Sequence, residues 1–181
     1  MDTQTLCLGV LNRGAASGYE IKKSFEEGPL AHIHEASFGA IYPALSRLAA
    51  DGLVEYCELP QDKRPDKKVY SITSAGRRAL EKALHHPPAA DKFRSDFCFI
   101  LFFAHLLPAE ELARLIDARI HWYDETLARM EECEELGEHP AGERFVHGLG
   151  LAVYRAARNY LCDHRDDLLR DAAVPADTAA E

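Results

Sequence analysis

Ser37-Phe-Gly-Ala-Ile-Tyr-Pro-Ala-Leu-Ser-Arg-Leu48 carries a clear helical pattern. Phe38, Ile41, Leu45 and Leu48 recur at steps of three and four, which predicts one buried stripe along a helix. Tyr42, Ser46 and Arg47 fall off that stripe and are free to face a partner. Pro43 removes one backbone hydrogen bond and invites a kink. Asp51-Gly52 closes the helix with a residue suited to a left-handed cap.

Upstream, Leu6, Leu8, Val10 and Leu11, with Gly14 after them, predict a short first helix. Ser17-Gly-Tyr-Glu20 has the form of a capping box, a hydroxyl followed three residues later by a carboxylate. A second helix is therefore expected from near Gly18 to about Glu27, with Tyr19, Ile21 and Phe25 on its apolar side and Gly28-Pro29 as its stop. Downstream, Leu53 to Leu59 and Lys67 to Ile72 are β-rich. The turn-rich segment Pro60-Gln-Asp-Lys-Arg-Pro-Asp66 joins them into a hairpin with a basic tip. Thr73 or Ser74 then caps a helix to about Leu84, and His85-His86-Pro87-Pro88-Ala89-Ala90 breaks it.

The second half reads as helical. Phe93 to Leu107 is apolar nearly all round, which predicts burial on several sides. Pro108 suits the first turn of the next helix, where Ala113, Ile116, Ile120, Tyr123, Leu127 and Met130 form a heptad-like seam. Gly137 to Gly142 is a break. A last helix is expected from about Glu143 to Leu169, with Phe145, Leu149, Val153 and Ala156 on one side. The fold class expected is thus mainly α with a small β-hairpin: a winged helix-turn-helix over residues 1–86, a helical dimerisation domain over 91–172, and a flexible tail over 173–181.

Composition narrows the function. The 181 residues are 47% hydrophobic and 28% charged, an ordinary globular composition. Met1-Asp2-Thr3-Gln4 puts no basic region ahead of the apolar stretch, so no signal peptide is expected. The longest apolar run falls short of the ~20 residues a membrane-spanning helix needs, and the expected compartment is the cytoplasm, with no membrane partner. Cys7, Cys57, Cys98, Cys133 and Cys162 are scattered, without the short spacings of a zinc ribbon or a CxxC pair, and read as reduced thiols. His32-x-His34 and His85-His86 would need a third ligand to hold a metal, so neither a metal nor any other cofactor is expected.

The net charge of −9 hides an asymmetry. Residues 1–84 carry 11 Lys and Arg against 11 Asp and Glu, which leaves 10 against 19 for residues 85–181. A neutral half binds phosphate if its basic residues gather on one face. Lys63, Arg64, Lys67 and Lys68 do gather, at the hairpin tip. A lone basic cluster would be a solvated loop. Placed between two strands just after a candidate recognition helix, it reads as a wing that reaches backbone phosphates while the helix enters the major groove.

Ser17-Gly-Tyr-Glu-Ile21, Gly39-Ala-Ile-Tyr-Pro-Ala-Leu-Ser-Arg-Leu48, Asp51-Gly-Leu-Val54 and Lys67-Lys-Val-Tyr-Ser-Ile-Thr-Ser-Ala-Gly76, in that order, resemble the PadR family of transcriptional regulators. The resemblance is strongest over residues 5–84. The second half is similar, more loosely, to the helical C-terminal domain of the longer, AphA-like members. The resemblance implies a homodimer on a pseudo-palindromic operator in double-stranded DNA, with Tyr42 and the wing basics at the DNA and the C-terminal helices of two subunits embracing. It also implies a small aromatic or otherwise planar effector in some members. The expected DNA-binding residues are Ser37, Gly39, Tyr42, Ser46, Arg47, Lys63, Arg64, Lys67 and Lys68. The recognition helix, with Ser37, Gly39, Ala40, Tyr42, Ser46 and Arg47, offers few base-reading groups, so phosphate contacts and DNA shape are expected to carry much of the recognition.

Several residues have a second reading. Tyr42 could be a core tyrosine, although the apolar stripe already occupies the other face. Arg47 could be an intramolecular ion-pair partner, and Tyr70 reads as packing. The heptad seam could be an internal contact, but its extent favours a dimer interface. Phe97, Trp122, Tyr123, Tyr154 and Arg158 could line an aromatic ligand pocket, or pack as core. An alternative function is a winged-helix protein-interaction module acting through its acidic helical domain. An enzyme is not expected: no GxSxG, P-loop, HExxH or strand-borne GxGxxG is present.

Overall fold

A computed structural model describes residues 1–26, 30, 38–60, 67–134 and 139–172; the side chains of Phe38, Cys133, Glu134 and Ala172 are also outside the description. The chain divides into two compact units, Met1–Asp91 and Lys92–Glu181.

The first unit runs α1 (Thr3–Arg13), β1 (Ala16–Ser17), α2 (Gly18–Glu26), α3 (Phe38–Ala50), β2 (Val54–Leu59), β3 (Lys67–Ile72) and α4 (Ser74–Leu84). Asp2 caps α1 by accepting from the Thr5 amide at 2.8 Å. The expected stripe of α3 is buried at Ile41, Leu45 and Leu48, each at most 1% exposed. It meets Cys7, Leu8 and Leu11 of α1, Ile21 and Phe25 of α2, Val54, Tyr70 and Leu80 in one core. Burial pushes the Cys7 thiol up to about 11, so it stays protonated as a small apolar residue.

The turn after α3 is a Schellman cap. Gly52 adopts φ +67°, the Leu53 amide donates to the Leu48 carbonyl at 2.8 Å, and the Gly52 amide donates to the Ala49 carbonyl at 3.1 Å. Thr73 then caps α4, accepting from the Gly76 amide at 3.1 Å. Its hydroxyl reaches the Gly52 and Leu53 carbonyls at 2.9 and 3.0 Å. Gly76 is glycine for a steric reason: a Cβ there would drive into the Leu53 carbonyl oxygen.

The sheet has three antiparallel strands in the order β1-β3-β2. The hairpin register pairs Val54 with Ile72, Tyr56 with Tyr70, Glu58 with Lys68 and Leu59 with Lys67. β1 was not foreseen. Its two residues pair with β3 at Ala16↔Tyr70 and Ser17↔Val69, and they tie the hairpin back to the start of α2. The hairpin tip with Lys63 and Arg64, the Gly28-Pro29 stop, His32, His34, Ser37, the tail after Val174 and most of the break before Gly142 lie outside the described residues.

The second unit runs α5 (Asp96–Phe102), a 3₁₀ turn (Ala104–Leu106), α6 (Ala109–Glu134) and α7 (Ala141–Ala172). Two expectations change. The apolar segment from Phe93 to Leu107 is not one buried helix. Ser95 caps α5 late, accepting from the Cys98 amide at 3.2 Å, and Phe103 leaves helical geometry at φ −108°, ψ 29°. Only Ala104 of this segment is buried, whereas Phe93, Phe99, Phe102 and Leu106 are 68–85% exposed. The α6 seam, expected as a dimer interface, meets α7 of the same chain over part of its length, while Ala113, Ile120, Tyr123 and Met130 stay partly exposed. Ile116 and Leu127 are buried there with Leu112, Thr126 and Leu151, and a Cβ on Gly150 of α7 would lie 3.1 Å from Met130 of α6.

An ion-pair ladder braces this hairpin at seven-residue intervals on α6: Asp117 with Arg165 (2.6 and 2.8 Å), Asp124 with Arg158 (2.9 Å) and Glu131 with Arg155 (2.6 Å). The pairing order makes α6 and α7 antiparallel. What α7 leaves uncovered is a stripe of Phe145, Leu149, Val153 and Tyr160, all more than half exposed.

Candidate nucleic-acid interface

α3 presents Gly39, Tyr42, Pro43, Ser46 and Arg47 to solvent while Ile41, Ala44, Leu45 and Leu48 hold it to the core. Pro43 lies inside the helix, and the carbonyl it deprives of a donor belongs to exposed Gly39, where water can serve it. Ser46 Oγ donates back to the Tyr42 carbonyl at 3.0 Å. Tyr42 is 57% exposed, so it is not a core residue. Its ring rests on Gly18 at the start of α2: a Cβ on Gly18 would lie 2.6 Å from Tyr42 Cε1. The absence of a side chain at position 18 leaves room for the Tyr42 ring. Arg47 is exposed and makes no ion pair among the described residues.

The hairpin stands beside this face. An open groove of about 350 Å³ is lined by Ser46, Ala49 and Ala50 of α3 and by Tyr56, Lys68 and Tyr70 of the strands. Lys68 Nζ sits 4.6 Å from the Tyr56 ring centroid and 3.3 Å from Glu58 Oε1, its cross-strand neighbour. The hydrogen bond to the Glu58 carboxylate raises the Lys68 ammonium above its ordinary value. Tyr70 is buried, tilted against Tyr56 at 5.5 Å, and its hydroxyl is pushed up by burial.

Lys67 is committed elsewhere. Its Nζ lies 2.9 Å from Glu20 Oε1, while Glu20 Oε2 accepts from the Ser17 amide at 2.8 Å and the Ser17 hydroxyl at 2.7 Å. The Ser17 amide first, then Lys67, hold the Glu20 carboxyl down at about 2. The predicted capping box is present, with its carboxylate shared between helix and wing.

The structure brings together Gly39, Tyr42, Ser46 and Arg47 on one helix face, with Lys68 across the groove. Sequence reasoning missed Tyr56, Glu58, Glu20 and Gly18 as supports. The cross-strand pair Glu58–Lys68 was the one signal available, and it needed a register that the seven-residue connection hides.

Four of the expected aromatic-site residues meet in the second unit. Trp122, Tyr123 and Tyr154 pack with centroids 5.1–5.7 Å apart. Arg119 lies between the rings of Phe97 (4.7 Å) and Trp122 (5.3 Å). Arg158 is paired with Asp124.

The family model described as "Transcriptional regulator PadR-like family" matches residues 7–82, from within α1 into α4. A solved structure from Streptococcus mutans, smu.1604c, is 30% identical and superposes with a TM-score of 0.79, covering 92% of this chain and 99% of that one. Residues 7–82 of the chain carry a PadR-like transcriptional-regulator domain. Among curated PadR-like relatives, the negative transcriptional regulator PadR of Bacillus subtilis is 30% identical over 109 residues, 60% of this chain and 59% of that protein. This chain therefore aligns with under two thirds of that relative's length. Bacillus subtilis PadR, solved with operator DNA and with p-coumaric acid, has the same fold, at TM-scores of 0.72 and 0.66 and 22% identity, covering 93–94% of this chain and 98% of each solved chain. PadR-like proteins are regulators, not enzymes.

Proposed function

We propose that this protein is a cytoplasmic repressor that binds operator DNA as a homodimer. The observation that carries the reading is the exposed face of α3, with Tyr42, Ser46 and Arg47, lying across a groove from Lys68 of the wing. A helix face of small and hydroxyl residues fits a major groove closely, and Lys68 reaches the phosphates that flank it. Ser37, Gly39, Lys63 and Arg64 complete the contact set, whereas Lys67 is held by Glu20. Repression is supported by the likeness to the negative regulator of Bacillus subtilis. No helix among the described residues is long and apolar enough to cross a membrane.

The α7 stripe of Phe145, Leu149, Val153 and Tyr160, with the exposed phenylalanines of α5, is the surface a second copy covers. A planar aromatic acid is the effector class the second unit supports. Phe97, Trp122, Tyr123 and Tyr154 offer ring faces. Arg119, beside Phe97 and Trp122, offers a cation that Arg158, tied to Asp124, offers less freely.

A gel shift on DNA from upstream of the protein's own gene, repeated across salt, tests this function. Each phosphate neutralised contributes about −0.9 to the slope of log affinity against log salt, so a steep linear fall is expected. Absence of binding even at low salt contradicts it.

A further inference from the structure

We infer that Glu20 and Lys67 form a latch that positions the wing for DNA, and that Lys67 is a positioning residue rather than a phosphate contact. The inference deepens the regulator reading and rests on it. The two wing lysines stand in different surroundings although they are adjacent in sequence. Lys68 faces the groove beside α3, over the Tyr56 ring. Lys67 faces the other way, as alternate strand residues must. It meets Glu20, 47 residues earlier in the chain.

Glu20 uses both oxygens. One holds the amide and hydroxyl of Ser17, the other holds Lys67. Ser17 is itself paired with Val69 of β3, two residues from Lys67. The carboxylate thus closes a ring through β1, the start of α2 and the first residue of β3. Lys67↔Leu59 is the outermost described pair of the hairpin, so the ring fixes where the wing leaves the sheet. The same start of α2 carries Gly18, on which Tyr42 rests. The carboxylate therefore ties the wing to the same element on which Tyr42 of α3 rests.

A phosphate contact and a positioning contact differ in what salt does to them. Removing a phosphate contact makes the salt slope shallower by about one, whereas removing a positioning contact lowers affinity at an unchanged slope. The test measures duplex affinity across salt for the full chain as wild type, Glu20→Gln, Lys67→Gln, the double variant, Lys68→Gln and Ser17→Ala. Glu20→Gln and Lys67→Gln are each expected to weaken binding about threefold at unchanged slope, as the loss of one exposed ion pair allows. The double variant is expected to be no worse than either single one, and Lys67→Arg to restore binding. Lys68→Gln is expected to flatten the slope. Ser17→Ala lowers thermal stability through the cap but keeps Lys67 paired, and is expected to retain affinity.

A flatter slope for Lys67→Gln, with unchanged affinity for Glu20→Gln, overturns the latch and returns Lys67 to the phosphates. Affinity lost equally in Ser17→Ala overturns it too, because the cap alone would then explain the effect. If the wild type binds no duplex, the regulator reading itself falls, and this role with it.

Discussion

The two units treat their apolar residues in opposite ways. The first gathers Leu11, Ile21, Ile41, Leu45 and Leu48 into a core with each side chain at most 2% exposed, and its exposed large residues include three tyrosines, Tyr19, Tyr42 and Tyr56. The second buries Leu112, Ile116 and Leu127 between two helices but leaves Phe93, Phe99, Phe102, Phe145, Leu149 and Val153 in solvent. The first unit closes its own core and spends its surface on polar contact. The second leaves an apolar surface of the kind that a partner covers. Charge follows the same division: the balanced half holds the groove with Lys68, and the acidic half holds the apolar stripe.

That contrast can be broken from either side. The largest effect is expected from Gly76→Ala, which forces a methyl group into the Leu53 backbone beneath the α3 cap. A backbone neighbour cannot move aside as a side chain can, so a loss of about 3 kcal/mol is expected in the first unit. Calorimetry is expected to show an earlier melt for that unit while the oligomeric state is kept. Leu149→Asp attacks the other side. A carboxylate in the α7 stripe is expected to weaken dimerisation by about 2 kcal/mol, roughly thirtyfold in Kd. The circular dichroism of the folded chain should be unchanged, because Leu149 lies outside the α6–α7 core. Sedimentation velocity across concentration reads this change, and a dimer as tight as the wild type would remove α7 from the interface.

Much of the first unit was legible because its signals are local. The α3 stripe, the Gly52 cap, the Ser17–Glu20 box and the Thr73 cap each lie within a few residues of the bonds they make. β1 was not legible, since two residues cannot show a period and pair only through β3. The roles of Lys67 and Lys68 were merged for a similar reason: adjacency in sequence hides the fact that a strand sends them to opposite faces. In the second unit, apolarity alone does not say which surface does the burying. Ile116 and Leu127 of the α6 seam are buried within the chain, and Phe99 and Phe102 of α5 are not. Ser95, which starts α5 late, was a capping signal available in the sequence.

Light scattering on the wild-type protein, alone and then saturated with a duplex from upstream of its gene, addresses both halves at once. The account predicts two chains in solution and the same two chains on one duplex. A monomer that remains a monomer on DNA, or a dimer that binds no duplex, would contradict it.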